Sequence, residues 1–311
     1  MILVTGGAGM LGKALIKELE NDSKYRNLKV LSPTRLELDL ESKESCEDFF
    51  ERNRPSIVFH LAAKVMGLQG NLKYQTASLV ENSCINLNIL SAAIKFPPQE
   101  FFFAGTAASY AYPYKSMPLR ESDFLEGDVH ESEFGYAWAK RASYPWLQIL
   151  RNEFGVKVIY GILTNLFGPN DRFVGENTHV IPALINRASK TKESKEKNFD
   201  IWGFPSVTRD FLFAPDAASI IVNLMKTKSP TSLFINIGSG IETSMEVLAE
   251  TIRNNYGFSK INWLHDKPIG VQRRFLDIEN IRSLGISTNS IFEDRLSETI
   301  SWHTKNMHTV R

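Results

Sequence analysis

The sequence predicts an α/β fold: a doubly wound parallel sheet followed by a smaller C-terminal α/β lobe. Three observations point to it. Short apolar runs alternate with longer amphipathic ones up to residue 165, a glycine-rich turn follows the first apolar run, and the alternation loosens afterwards where prolines recur.

Ile2–Thr5 reads as a buried strand, and Leu11–Glu20 as a helix whose apolar positions are Leu11, Ala14, Leu15 and Leu19. Lys29–Ser32 is a second strand, Ser45–Arg52 a helix and Ser56–Leu61 a third strand. Leu87–Lys95 is helical and Phe101–Ala104 is a fourth strand. One long helix is expected from Tyr136 to Phe154, kinked at Pro145, and then a fifth strand over Val156–Ile162. Such alternation implies right-handed crossovers and a parallel sheet.

Residues 1–165, with about 210–240 returning to them, are expected to form the sheet domain; 166–209 and 241–311 form the smaller lobe. Pro169, Pro182, Pro205, Pro215 and Pro230 punctuate that second half. Thr191–Asn198 is polar and reads as an exposed loop. Helical patterns return at Ala214–Met225, Met245–Asn254 and Phe292–His303.

A net charge of +1 offers no global field for nucleic acid or an anionic membrane, so an anionic ligand needs a local site. Cys46 and Cys84 form neither a disulfide framework nor a metal-ligand spacing, so no metal is expected. With no apolar run of spanning length and no signal-peptide pattern, a cytoplasmic setting is expected.

Gly6-x-x-Gly9-x-x-Gly12 sits between the first strand and the first helix. Glycines there allow a tight turn and close backbone approach, and the helix N-terminus offers free N–H groups to a pyrophosphate. The pattern reads as a dinucleotide (Rossmann) site rather than a merely structural turn. Arg35, after the second strand, suits the extra phosphate of NADP, where an acidic residue would select NAD. Asp39 is expected at the adenine edge.

Tyr136 and Lys140, four apart, share one helix face. A lysine charge beside a phenol lowers the phenol pKa and readies it for proton exchange. A hydroxyl after the fourth strand completes the arrangement: Thr106, with Ser109 in reserve. His60 reads as packed. His130, His265, His303 and His308 sit in loops or near the C-terminus without evident partners, and Trp138, Trp146, Trp263 and Trp302 read as core or interface residues.

Nearly end to end, the chain resembles the GDP-L-fucose synthase family of extended short-chain dehydrogenases/reductases. The resemblance rests on His60–Gly67, Asn165–Asp171, His179–Ile185, Trp202-Gly203, Arg209–Leu212, Asn236–Gly240, Lys267-Pro268 and Arg274–Asp277. It implies NADPH as cofactor, a GDP-linked 4-keto-6-deoxy sugar as substrate, and reduction at C4 in nucleotide-sugar biosynthesis for surface polysaccharide. By resemblance, Tyr136, Lys140, Thr106 and His179 are the catalytic group. Cofactor contacts add Met10, Leu11, Leu61, Ala62, Ala63, Asn165, Phe167 and His179 to the glycines, Arg35, Asp39 and Lys140. Substrate contacts are Thr106, Ser109, Asn165, Arg187, Trp202, Arg209 and Asp277. The family pattern also implies a homodimer through Leu79–Lys95 and Tyr136–Phe154.

One departure stands out. The family epimerises C3 and C5 with a cysteine and a histidine before it reduces C4. His179 matches the histidine, but the cysteine position falls on Ala108, whose methyl group transfers no proton. A one-residue shift would bring Ser109 or Tyr110 there. The expectation is therefore C4 reduction of a hexose or heptose derivative without epimerisation. The alternatives are the full epimerase-reductase and a non-catalytic NADP-binding regulator.

Overall fold

The computed structural model describes residues 1–175, 177–228, 232–265, 270–287 and 290–307. In chain order the first half runs β1 (Ile2–Thr5), α1 (Met10–Asn21), β2 (Val30–Leu31), α2 (Lys43–Asn53), β3 (Ile57–His60), α3 (Leu68–Lys73), α4 (Gln75–Lys95), β4 (Glu100–Thr106), α5 (Phe134–Arg141), α6 (Tyr144–Asn152) and β5 (Lys157–Leu163). The second half runs β6 (Asn165–Phe167), α7 (Val180–Glu193), β7 (Asn198–Trp202), β8 (Thr208–Arg209), β9 (Phe211–Phe213), α8 (Ala214–Lys226), β10 (Phe234–Ile237), β11 (Thr243–Ser244), α9 (Met245–Tyr256), β12 (Lys260–Leu264), β13 (Arg273–Arg274), α10 (Glu279–Ser283) and α11 (Phe292–Asn306).

β2, β1, β3, β4, β5 and β10 form one six-stranded sheet in that order, and every neighbouring pair is parallel. The inner strands are apolar on both faces: β1, β3 and the middle of β4 are buried throughout, as a sheet covered by helices on both sides requires. Strand order reverses between β1 and β3. In an open α/β sheet that switch point leaves a crevice at the carboxyl ends of the strands.

The remaining strands are short. β8 pairs antiparallel with β11 and parallel with β13, β7 pairs with β12, and β6 with β9. Around them α7, α9 and α11 enclose a second apolar cluster that includes Phe173, Ile185, Phe199, Leu248 and Leu296.

Two elements differ from expectation. The single helix over Tyr136–Phe154 is two helices, α5 and α6, broken at Ala142 and Ser143. Pro145 lies in the first turn of α6, where its missing N–H removes no helical bond. The expected loop Thr191–Asn198 is shorter, because α7 continues to Glu193 and β7 begins at Asn198. Lys267-Pro268, Pro230 and His308 lie outside the described residues.

Candidate active site

At the switch point the backbone is tightly packed on one side and open on the other. Gly6 has φ +72°, and a Cβ there would lie 2.9 Å from the Ala62 nitrogen. A Cβ on Gly12 would lie 2.3 Å from the Gly6 carbonyl oxygen, so helix and turn touch backbone to backbone. A Cβ on Gly9 meets only the Gly6 oxygen, at 3.2 Å, and Gly9 is the N-cap of α1. That open face, with Met10 and Leu11 opening the helix, fits a pyrophosphate at a helix N-terminus. Leu61, Ala62 and Ala63 follow β3, and the Ala62 N–H donates to Thr5 Oγ1 at 3.3 Å. Arg35 is exposed beyond β2, with Nη2 3.1 Å from Glu41 Oε1 and Nε 3.9 Å from Asp39 Oδ1. The Phe167 ring is buried among Phe211, Phe213 and Phe292.

Tyr136 and Lys140 lie one turn apart on α5. Lys140 is 1% exposed; its Nζ lies 4.8 Å from the Phe103 ring centroid and has no hydrogen-bond partner among the described residues. Burial pushes its ammonium down to about 7. The phenol does not behave as the spacing suggested: burial first, and then the Glu133 carboxylate, hold Tyr136 above the usual tyrosine range. The physical reason is that Lys140 is stripped of water over an aromatic face, while the charge acting on the phenol is negative.

His60 is buried near Lys140, which adds to the burial that pushes its imidazole down to about 3. Its ring nitrogens lie 2.8 Å from Thr5 Oγ1 and 3.1 Å from Asn86 Oδ1, and Asn86 Nδ2 donates to the Ala139 carbonyl at 3.0 Å.

Thr106 ends β4 half-buried, and its hydroxyl oxygen accepts from the Ala108 N–H at 3.2 Å. Ser109, expected as a substrate contact and reserve hydroxyl, has its hydroxyl turned into the protein here. It is fully buried, its Oγ donates to the Ala137 carbonyl at 2.9 Å, and Arg141 clamps its own carbonyl. The Tyr110 hydroxyl is likewise committed, donating to Asn236 Oδ1 at 2.7 Å.

A cavity of about 470 Å³ opens beside α5. It reaches Ser132 and Glu133 just before that helix, with Tyr136 one turn further along it. His179, the N-cap of α7, and Asn165 line it. At its outer end the Arg187 guanidinium sits 4.2 Å from the centroid of the half-exposed Trp202 ring. At its floor Arg209 and Arg274 are paired in register on β8 and β13. Arg274 forks onto Glu133, Nη1 to Oε2 at 2.6 Å and Nη2 to Oε1 at 3.2 Å. Two arginines against one glutamate leave the floor positive, and burial together with the Arg274 charge pushes Arg209 down to about 10.

Asp210, next to Arg209, organises this floor. Its buried carboxylate accepts from Ser239 N–H (2.9 Å), Ser239 Oγ (2.7 Å), Gly240 N–H (3.3 Å) and Leu276 N–H (3.3 Å). Asp277, expected at the substrate, is not among the cavity's lining residues. Its Oδ1 accepts from the Glu279 N–H at 2.9 Å, and its Oδ2 lies 3.7 Å from Arg120 Nε. Glu133 and Arg274 were not anticipated as site residues, although Glu133 stands three before Tyr136.

The remaining described histidines, His130, His265 and His303, each lie against a neighbour. His130 Nδ1 lies 2.8 Å from Ser132 Oγ, His265 Nδ1 2.9 Å from the Gly203 carbonyl, and His303 is buried against Phe173.

The NAD dependent epimerase/dehydratase family matches residues 2–238. GDP-L-fucose synthase 1 of Arabidopsis thaliana is 34% identical over 307 residues, 98% of this chain and 94% of the relative. The solved GDP-L-fucose synthetase of Naegleria fowleri bound to NADP superposes with a TM-score of 0.86 at 26% identity, covering 100% of this chain and 95% of the other. A GDP-6-OMe-4-keto-L-xylo-heptose reductase from C. jejuni shares the fold, with a TM-score of 0.87 at 24% identity over 98% of this chain and 97% of the other.

Proposed function

Because the chain belongs to the NAD dependent epimerase/dehydratase family and, within it, to the GDP-L-fucose synthase group, we propose that it is an NADPH-dependent oxidoreductase that reduces the C4 ketone of a GDP-linked 4-keto-6-deoxy sugar. The observation that carries this reading is the placement of Tyr136 and the buried Lys140 on α5, whose N-cap Glu133 lines an arginine-floored cavity.

NADPH, when bound, supplies the hydride. The Gly6–Gly12 turn would hold its pyrophosphate and Arg35 its extra phosphate. The unpartnered Lys140 Nζ suits a ribose hydroxyl, which would restore the polar contact that burial denies it. Tyr136 then gives its proton to the C4 oxygen, and Thr106 steadies that oxygen. Its surroundings keep the phenol protonated, so the proton is there to give, and the same shift makes it a weaker acid than one tuned to the working pH. Arg187, Arg209 and Trp202 would take the diphosphate and an apolar face of the ligand, since guanidinium forks match anionic oxygens in pairs.

Epimerisation divides two readings that share this reduction. The names of the relatives, GDP-L-fucose synthases among them, support the bifunctional 3,5-epimerase/4-reductase better than reduction alone, and His179 lines the cavity as that reading requires. Reduction alone is supported by Ala108, with Ser109 and Tyr110 both committed to internal hydrogen bonds and so unable to replace a thiol.

Turnover in heavy water tests both. NADPH oxidation by GDP-4-keto-6-deoxymannose, lost in Tyr136→Phe while NADPH binding persists, is the expected result; no oxidation with any GDP-4-keto sugar would leave only a binding protein. Deuterium at C3 or C5 of the product would establish the bifunctional reading, and its absence the reductase.

A further inference from the structure

Glu133 is the N-cap of α5, yet its side chain makes no capping bond to that helix. It turns into the cavity wall and takes both fork nitrogens of Arg274, a residue 141 positions away on β13. Both side chains are largely buried, at 17% and 8% exposure. Three residues on, about one helical turn, is Tyr136, and four further is Lys140, so carboxylate, phenol and ammonium follow one another along α5. A buried acid this close to a proton donor has a cost that a surface acid lacks, and its fork geometry holds it in one place.

We infer that Glu133 is a positioning residue for the proton donor: clamped by Arg274, its carboxylate fixes the start of α5 to the cavity floor and sets the field in which the Tyr136 phenol holds its proton. This rests on the ketoreductase reading. The charged and titratable groups facing the Glu133–Arg274 pair are Arg209 on β8, Tyr114 in the stretch between β4 and α5, His130 before the helix and His179 at the head of α7. Those acting on Tyr136 are Glu133 and Tyr160 on β5, with Lys140 one turn further along the same helix. Glu133 is the nearby carboxylate acting on the phenol, and its negative charge opposes phenolate formation. An anionic substrate arriving at Arg209 and Arg274 would weaken the clamp, which ties ligand binding to the readiness of the acid.

The test uses full-length protein saturated with NADP⁺ and labelled with ¹³Cζ-tyrosine, the Tyr136 signal being identified by its loss in Tyr136→Phe. In Glu133→Gln the onset of Tyr136 ionisation should move to lower pH by roughly one unit. Glu133→Asp, with the charge kept but withdrawn by one methylene, should shift it less. The basic limb of kcat for ketone reduction should move the same way, with KM for NADPH unchanged. An onset that stays put or rises in Glu133→Gln, or in Glu133→Asp should the amide variant fail to fold, overturns the inference. That readout needs no turnover, so it stands apart from failure of the ketoreductase reading, which would appear as wild-type protein inert toward every keto-sugar.

Discussion

Lys140→Met should make the protein more stable while removing its activity. Lys140 has an ordinary value of 10.5 and is pushed down to about 7 by burial alone. At about 1.4 kcal/mol per unit, holding the ammonium charged in that site costs on the order of 5 kcal/mol relative to the unfolded chain. The side chain is buried, so little solvent screening reduces the figure. Methionine has similar length, needs no hydrogen bond and packs well against the Phe103 ring. The sign follows from proton binding. Between about pH 7 and the ordinary lysine value the unfolded chain carries a proton that the folded one lacks, so wild-type stability rises with pH across that window. Below about pH 7 the lysine is charged in both states and the full cost is present. The Met variant lacks this dependence, so its advantage should be largest near pH 6 and shrink by roughly 1.4 kcal/mol per unit above pH 7. Urea unfolding of both proteins without added cofactor, at several pH values, measures the gap. In thermal scans a gap of this size corresponds to several degrees. A Met variant no more stable than wild type at acidic pH, or a gap that stays constant on raising the pH, would refute the reasoning.

Further consequences concern the cofactor turn and the cavity floor. Arg35→Ser should weaken NADPH binding by roughly 10-fold or more and leave NADH nearly unaffected, since the proposed charge-assisted contact to the extra phosphate would be lost; fluorescence titration with both cofactors checks it. Gly12→Ala should abolish dinucleotide binding and lower the melting temperature, because the new Cβ would stand 2.3 Å from the Gly6 carbonyl oxygen with backbone on both sides; calorimetric binding of NADP⁺ reads it out. Asp210→Asn places an amide where four donors converge and orphans about two of them, which should cost roughly 2–4 kcal/mol, measured as a lower urea midpoint at unchanged slope.

Much of this was legible in the sequence because it is local. The Gly6–Gly12 turn is bounded by a strand and a helix whose periodicities differ, and the Tyr136–Lys140 spacing fixes a shared face without reference to the rest of the chain. What escaped depends on distant partners or on short elements. Strands of two residues such as β8 and β13 carry no period to read, yet they bring Arg209 beside Arg274. The Glu133–Arg274 pair joins residues 141 apart. The inward turn of the Ser109 hydroxyl follows from the Ala137 carbonyl above it, which composition does not reveal. The break between α5 and α6 was half visible: Pro145 marked the place, but a kink and a fresh helix start look alike until the Ala142–Ser143 turn is seen.

The fate of the hydride tests the account most directly. With NADPH carrying deuterium at the transferred position of its nicotinamide C4, and a GDP-4-keto-6-deoxy sugar as acceptor, the product should hold one deuterium, at sugar C4. Tyr136→Phe should slow its appearance by about 10²–10⁴-fold. Deuterium at another carbon, or none in the sugar while NADPH is consumed, would contradict C4 ketoreduction by this chain.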